Sequence, residues 1–243
     1  MRIPRIYLNQ TLKVHQITPL DKETVRYLCS VLRLSDGAEV IVFNGRGGEY
    51  HGILKHSRGN QTSVDVCRFD AIERESPLHV HVGMGISRGE RMDLVMQKLT
   101  ELGVTEITPL LTRRVEVKLP EPRMTKKNLH WQKIAISACQ QCQRNRLPLL
   151  HPTCHLGEWL PTVNGDAKLV LDHREANSLG GLKAGTRQIT LLVGPEGGLD
   201  DVEIKAAQTS GFVGLGLGPR VFRTETAPLV AVSVLQALFG DLQ

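Results

Sequence analysis

The sequence predicts two domains: a small β-rich domain first, then a larger α/β domain built on a mostly parallel sheet covered by helices. Three observations carry this. The first 70 of the 243 residues hold strand-sized runs parted by glycine-rich turns. After residue 77 the pattern changes to apolar strands alternating with helices, which implies a parallel sheet with helical cover. The last fifth holds two strand–loop–helix passages back to back, at 189–198 and 212–227. Each is a continuous apolar run, the mark of a strand buried on both faces, and each stops at a glycine.

In the first domain, residues 2–8 read as a strand. Thr18-Pro-Leu-Asp21 reads as a helix start with proline at the first helical position. Val25, Leu28, Cys29 and Leu32 then recur at helical spacing, as a core-facing stripe does. Asp36-Gly37 marks a turn. Strands follow at 39–44, 49–56 and 61–69, separated by Gly45-Arg-Gly-Gly48 and Ser57-Arg-Gly-Asn60. Arg46 and Arg58 sit at those turn tips, where arginines suit phosphate contacts. A short meander with one helix suggests a small barrel, a shape many RNA binders use. Residues 71–77 are polar and end in Pro77, so the boundary falls there, with domains expected at 1–72 and 73–243.

In the second domain, strands are expected at 78–86, 106–111 and 168–171. A helix over 88–102 stops at Gly103, and a stretch free of glycine and proline makes 124–146 helical. Asp200-Asp-Val-Glu203 has the pattern of a reciprocal cap, with Asp200 before the helix and Glu203 three residues on. Thr226 is placed to cap the last helix, with Pro228 in its first turn. Leu229, Val230, Val232, Val234, Leu235 and Leu238 make that helix apolar nearly all round, so it belongs in a core or a subunit interface.

Composition narrows the classes. At 41% hydrophobic residues the chain builds a real core, and no run approaches the roughly 18 apolar residues of a membrane span. The start lacks the apolar segment of a signal peptide, so the expected location is the cytoplasm, with no membrane partner. Five cysteines then read as reduced thiols. Cys139-Gln-Gln-Cys142 lies in a helical stretch, and His151 and Cys154 do not complete a ligand set with it, so no metal is expected. The net charge of +5 is uneven: residues 86–146 hold 12 Lys/Arg against 6 Asp/Glu, and residues 147–243 hold 7 against 10. A localised basic field is the footprint of a nucleic-acid partner.

The two late loops define one pocket. In open α/β sheets ligands sit beyond the carboxyl ends of the strands. Gly194, Gly197 and Gly198 let the backbone approach a ligand closely. A phosphate loop would add a lysine, whereas this loop holds Glu196, which repels phosphate and tolerates a neutral or cationic ligand. S-adenosylmethionine (SAM), an adenosine carrying a sulfonium, is such a ligand. Gly214-Leu-Gly-Leu-Gly218 has the wrong spacing for a dinucleotide fingerprint, and no acidic residue follows at the end of a next strand.

Several segments together resemble the ribosomal RNA small subunit methyltransferase E family of the SPOUT superfamily. They include Arg2-Ile-Pro-Arg-Ile-Tyr7, Ser87-Arg-Gly-Glu-Arg-Met92, Gln141-Cys-Gln-Arg144, Leu192-Val-Gly-Pro-Glu-Gly-Gly198 and Leu217-Gly-Pro-Arg-Val-Phe-Arg-Thr-Glu-Thr-Ala227. The last two are the specific ones. The resemblance implies a PUA-like N-terminal β-barrel, a C-terminal α/β domain with a deep trefoil knot, and a homodimer. It also implies SAM-dependent methylation of uridine N3 in 16S rRNA of the 30S subunit. SAM is then expected against Leu171, His173, Val193, Gly194, Pro195, Glu196, Gly197, Leu217, Gly218, Val221, Thr224 and Thr226.

Methyl transfer to N3 needs a proton removed and negative charge stabilised on the uracil oxygens. Glu225 is the expected base, with Glu196 as the other nearby carboxylate, and Arg220 and Arg223 are the expected charge-stabilising groups. Arg2, Arg5, Arg88, Arg91, Arg144 and Arg146 are expected to face RNA. Two other readings stay open from the sequence. One is a SPOUT methyltransferase acting on tRNA or a ribose 2′-OH. The other is a non-catalytic RNA-binding assembly factor.

Overall fold

The structure is a computed structural model that describes residues 3–57, 61–115, 121–175 and 182–242. It divides into two compact units. One comprises residues 1–75 with 139–147, the other residues 76–138 with 148–243.

In the first unit, β1 (Arg5–Tyr7), β2 (Gln16–Pro19), β3 (Glu39–Phe43), β4 (Glu49–Ser57) and β5 (Gln61–Asp70) form a sheet in the order β1-β3-β4-β5-β2. The β1–β3 pair is parallel and the other pairs are antiparallel. Alternate residues point one way, so Val40, Val42, Val64 and Val66 share a core with Ile6, Leu8, Leu28 and Leu54. Thr18 and Pro19 belong to β2, paired with Val64 and Ser63, and do not open a helix. Asp21 opens it instead: its carboxylate accepts from the Thr24 N–H at 2.9 Å ahead of α1 (Lys22–Val25). The chain then runs into a π-helical turn, Arg26–Val31, where the Leu32 N–H donates to the Tyr27 carbonyl. That five-residue bond breaks the 3.6-residue repeat, so Leu28 is buried while Leu32 is exposed.

The first unit also takes in residues 139–147, which a linear reading gives to the second domain. Asn145 explains the attachment. It accepts from Arg5 Nη2 at 2.6 Å and donates to the Ile72 carbonyl at 2.8 Å. The helix expected over 124–146 spans Glu121–Cys142 (α3) and ends where Gln143 turns to φ 71°.

The second unit is built on a fully parallel sheet. Its strands are β6 (His79–Gly85), β7 (Glu106–Leu111), β8 (Leu149–Leu150), β9 (Cys154–His155), β10 (Ala167–Leu171), β11 (Gln188–Val193) and β12 (Val213–Leu215). The order is β12-β10-β11-β6-β7-β8, with β9 also on β7. Side chains alternate faces: Leu191 and Val193 join one apolar cluster and Leu192 the other. The first cluster takes in α2 (Glu90–Glu101), Trp131 of α3 and α6 (Thr226–Phe239). The second takes in α4 (Leu156–Trp159) and α5 (Asp201–Thr209). Both faces are covered, which is why the strands read as continuous apolar runs. The sequence reading did not anticipate β2, β8, β9 or α4, all four residues or shorter.

The reciprocal cap on α5 forms as expected, Asp200 accepting from the Glu203 N–H at 2.8 Å and Glu203 from the Asp200 N–H at 3.0 Å. The cap expected from Thr226 does not form. Thr226 is the first residue of α6, and Glu225 precedes it without a side-chain cap. Within α6, Ala231, Val232 and Leu235 are buried, whereas Val234 and Leu238 face solvent. Gln236, buried on this apolar helix, is satisfied by the Leu102 carbonyl at 2.9 Å and the Ser76 hydroxyl at 2.6 Å.

Candidate active site

Strands β10, β11 and β12 are adjacent and parallel, so their carboxyl ends open on the same side. The segments that follow them enclose a cavity of about 390 Å³. Leu171, Asp172 and His173 come from the end of β10, residues 193–199 from the end of β11, and Leu215, Leu217, Gly218, residues 220–225 and Ala227 from the end of β12 and the segment after it. Arg91 reaches it from α2.

Each loop has a local cause for its shape. The Gly198 N–H donates to the Pro195 carbonyl at 2.8 Å, and Gly198 takes φ +67°, a region costly for other residues. Gly194 is needed for space instead: a Cβ there would lie 3.0 Å from the Gly198 carbonyl carbon and the Leu199 nitrogen. In the second loop Gly218 takes φ +95°, with open space where a side chain would be. The Arg223 carbonyl then accepts the Thr226 and Ala227 N–H groups and turns the chain into α6. The loops are joined: the Thr224 hydroxyl donates to the Gly194 carbonyl at 2.8 Å and lies 3.5 Å from the buried Ser87 hydroxyl.

The carboxylates differ. Glu196 accepts from the Arg88 N–H at 2.9 Å and from Arg91 Nη1 at 3.0 Å. Partial burial pushes its carboxyl up, but these hydrogen bonds outweigh it and hold the group below its ordinary range. Glu225, with a side chain 16% exposed, has Arg91 Nε at 4.0 Å. Asp172 is gripped by Arg174 at 2.7 Å, and that hydrogen bonding lowers its pKa.

Of the residues expected at the cofactor, Leu171, His173, Val193, Gly194, Pro195, Glu196, Gly197, Leu217, Gly218, Val221 and Thr224 line this cavity. So do Arg220, Arg223 and Glu225. Thr226, the first residue of α6, is not in its lining, although the next residue, Ala227, is. Sequence reasoning missed Asp172, Phe222 and Arg114, whose Nη1 donates to the Gly197 carbonyl at 2.9 Å. Asp172 was signalled by its place just past an apolar strand. Arg114 lies 83 residues from its partner and no local pattern marks it.

The arginines expected to face RNA separate. Arg2 and the turn-tip Arg58 lie outside the described residues. Arg88, Arg91 and Arg146 are exposed, and Arg146 pairs with Glu73 at 3.1 Å. Arg5 and Arg144 do not face solvent, being only 6% and 4% exposed. Arg5 pairs with Glu49 and Arg144 with Glu75, each at 2.6 Å, so both guanidiniums hold the first unit together. Cys139 and Cys142 are not bonded to each other in a disulfide.

A family model described as an RNA methyltransferase domain matches residues 74–236, and one described as an RNA methyltransferase PUA domain matches 20–67. A ribosomal RNA small subunit methyltransferase E from Buchnera aphidicola is 33% identical over 242 residues, covering 99% of this chain and 98% of its own. The chain belongs to the ribosomal RNA small subunit methyltransferase E family. A Bacillus subtilis member is 30% identical over 90% of this chain and 91% of its own. A Neisseria gonorrhoeae member, solved bound to S-adenosyl methionine, superposes with a TM-score of 0.92 at 35% identity, covering both chains fully. A Legionella pneumophila protein solved in complex with the cofactor SAM reaches 0.96 at 39% identity, also with full coverage of both. The fold class follows: a PUA-like N-terminal β domain and a SPOUT-type α/β-knot methyltransferase domain.

Proposed function

We propose that this chain methylates N3 of a uridine in 16S rRNA, within the 30S subunit in the cytoplasm, using SAM and acting as a homodimer. SAM-dependent methylation of rRNA is the activity of the family to which it belongs. The observation that carries the reading is the convergence of both glycine loops on one cavity that also holds Glu196, Glu225, Arg220 and Arg223.

The residues present fit SAM. Leu171, Val193, Leu217 and Phe222 offer an apolar wall for an adenine, and the volume lies in the range of small-molecule sites. Two carboxylates near the opening suit a ligand with cationic groups. Bound SAM supplies an electrophilic methyl group.

Glu225 is the better base. Glu196 is held ionised by Arg88 and Arg91, and a carboxylate so stabilised attracts a proton weakly. Its role is to fix the loop. Glu225 has a looser charge partner at 4.0 Å and borders the same cavity. It takes the N3 proton while Arg220 and Arg223, exposed at the rim, bind the uracil oxygens or the neighbouring phosphate. Exposed Arg88 and Arg91 extend that basic rim. The dimer reading rests on apolar side chains left outside: Leu94 of α2 and Val234 and Leu238 of α6 are 40%, 39% and 54% exposed.

Methyl transfer from labelled SAM to unmethylated 30S subunits, followed by nucleoside analysis, tests the reading. The expected product is 3-methyluridine in 16S rRNA. Label in a ribose, in another base or in tRNA would refute it.

A further inference from the structure

We propose that His81, Glu106 and His151 form a binding site for a divalent transition-metal ion of the Zn2+ class. The sequence reading placed no metal, because it looked for partners of Cys139 and Cys142. The cluster appears only in the folded sheet, where one donor atom from each of the three residues lies within 4.8 Å of the others.

The scaffold is rigid. His81 is on β6 and Glu106 directly opposite it on β7, paired in register. His151 follows β8, and its N–H donates to the Ile107 carbonyl at 2.9 Å. Two paired strand positions and the residue just past β8 therefore fix all three side chains. Two imidazoles and one carboxylate are the ligand set of open, three-ligand zinc sites, with water completing a tetrahedron. Imidazole nitrogen selects for zinc and its neighbours over magnesium or calcium.

The surroundings also suit an ion. Thr108 Oγ1 lies 2.8 Å from His81 Nε2 and holds the ring, as outer hydrogen bonds hold metal ligands. Trp159 stands edge-on to the His81 ring with centroids 5.5 Å apart and forms a wall. All three ligands are half-buried, so the ion is sheltered but reachable. His151 Nε2 and Glu106 Oε2, now 2.6 Å apart, would separate by about 0.5–1 Å to accept an ion at the usual 2.0–2.2 Å. The hydrogen between them moves to the other imidazole nitrogen, leaving a lone pair for the metal.

This site lies away from the cavity. His81 is the third residue of β6 and Glu106 the first of β7, near the amino ends of strands that run parallel to β11, whose carboxyl end lines the pocket. Its occupation ties β6, β7 and β8 together and does not depend on what the pocket binds.

The test uses the untagged full-length chain, stripped with a chelator and titrated with Zn2+ by calorimetry. One ion per chain is expected, with affinity at least about 100-fold weaker in His151→Ala and in Glu106→Gln, since loss of even an outer partner costs 10–100-fold. Absence of binding, or equal binding by both variants, overturns the proposal. Co2+ substitution of the wild-type chain needs no variant to fold. An intense visible band of a four-coordinate nitrogen–oxygen site is expected, and the pale spectrum of hydrated Co2+ overturns it.

Discussion

The Thr224 hydroxyl donates to the Gly194 carbonyl at 2.8 Å, joining the loop after β12 to the loop after β11 across 30 residues of sequence. Neither loop alone makes the cavity, and this bond ties the two together. Thr224→Val keeps the shape and removes the donor, leaving the Gly194 carbonyl unmatched at a cost of about 1 kcal/mol. SAM affinity is expected to fall about fivefold, while Thr224→Ser retains it. Calorimetric titration with SAM distinguishes the two.

Glu225→Gln keeps the size of the side chain and removes the base. Turnover on 30S subunits should drop by about 10²–10⁴, with SAM affinity little changed. Full turnover with intact SAM binding would remove Glu225 from the chemistry.

Arg5 tests a structural role against an RNA-binding one. Its side chain is 3% exposed and pairs with Glu49, itself 4% exposed. Burial raises the Glu49 carboxyl, but Arg5 and Arg74 outweigh it and hold Glu49 ionised. Arg5→Ala leaves Glu49 with Arg74 and Asn145 alone and should cost about 2 kcal/mol, read as a lower midpoint in urea. An unchanged midpoint with weakened RNA binding would restore Arg5 to the RNA face.

The Glu196 clamp makes a prediction about acid. Its folded pKa lies below the ordinary 4.5, so its ionised form binds Arg88 and Arg91 more favourably in the native state. That contribution is complete above about pH 4.5 and fades as pH falls through the lower folded value. Between pH 5 and pH 3 the wild-type melting temperature should therefore fall more steeply than that of Glu196→Gln. Parallel curves would show that the clamp adds nothing to stability.

Cys139 is fully buried, and burial pushes its thiol up to about 12. At pH 8 in the native state it should resist a thiol-specific reagent that labels exposed Cys67. Mass spectrometry of the labelled peptides reads both sites, and rapid labelling of Cys139 would contradict its burial.

What the sequence showed depended on how local each signal is. The strands of the parallel sheet were legible because residues buried on both faces are mostly apolar, as Ile189, Leu191, Leu192 and Val193 are, with buried Thr190 donating to the Asn164 carbonyl. The Asp200–Glu203 cap was legible because both partners sit within one turn. The Thr226 cap failed because a threonine before an apolar run has two fates, and the Arg223 carbonyl drew it into the helix. The two-residue strands β8 and β9 left too few residues to show a period.

The arginines mark the other limit. Arg5, Arg144 and Arg146 look alike in sequence, yet the first two are buried against Glu49 and Glu75 while the third is exposed. Charge reports what a residue is able to bind, and its partner is chosen by packing.

The sequence by itself determined the two domains, the parallel sheet and the pair of glycine loops, because apolar period, turn glycines and caps act over a few residues. The tertiary structure alone decided that Glu196 is clamped, that Arg5 is structural, and that His81, Glu106 and His151 share one spot. Those facts depend on groups 25 to 108 residues apart meeting in the fold, and no local pattern encodes a meeting at that separation.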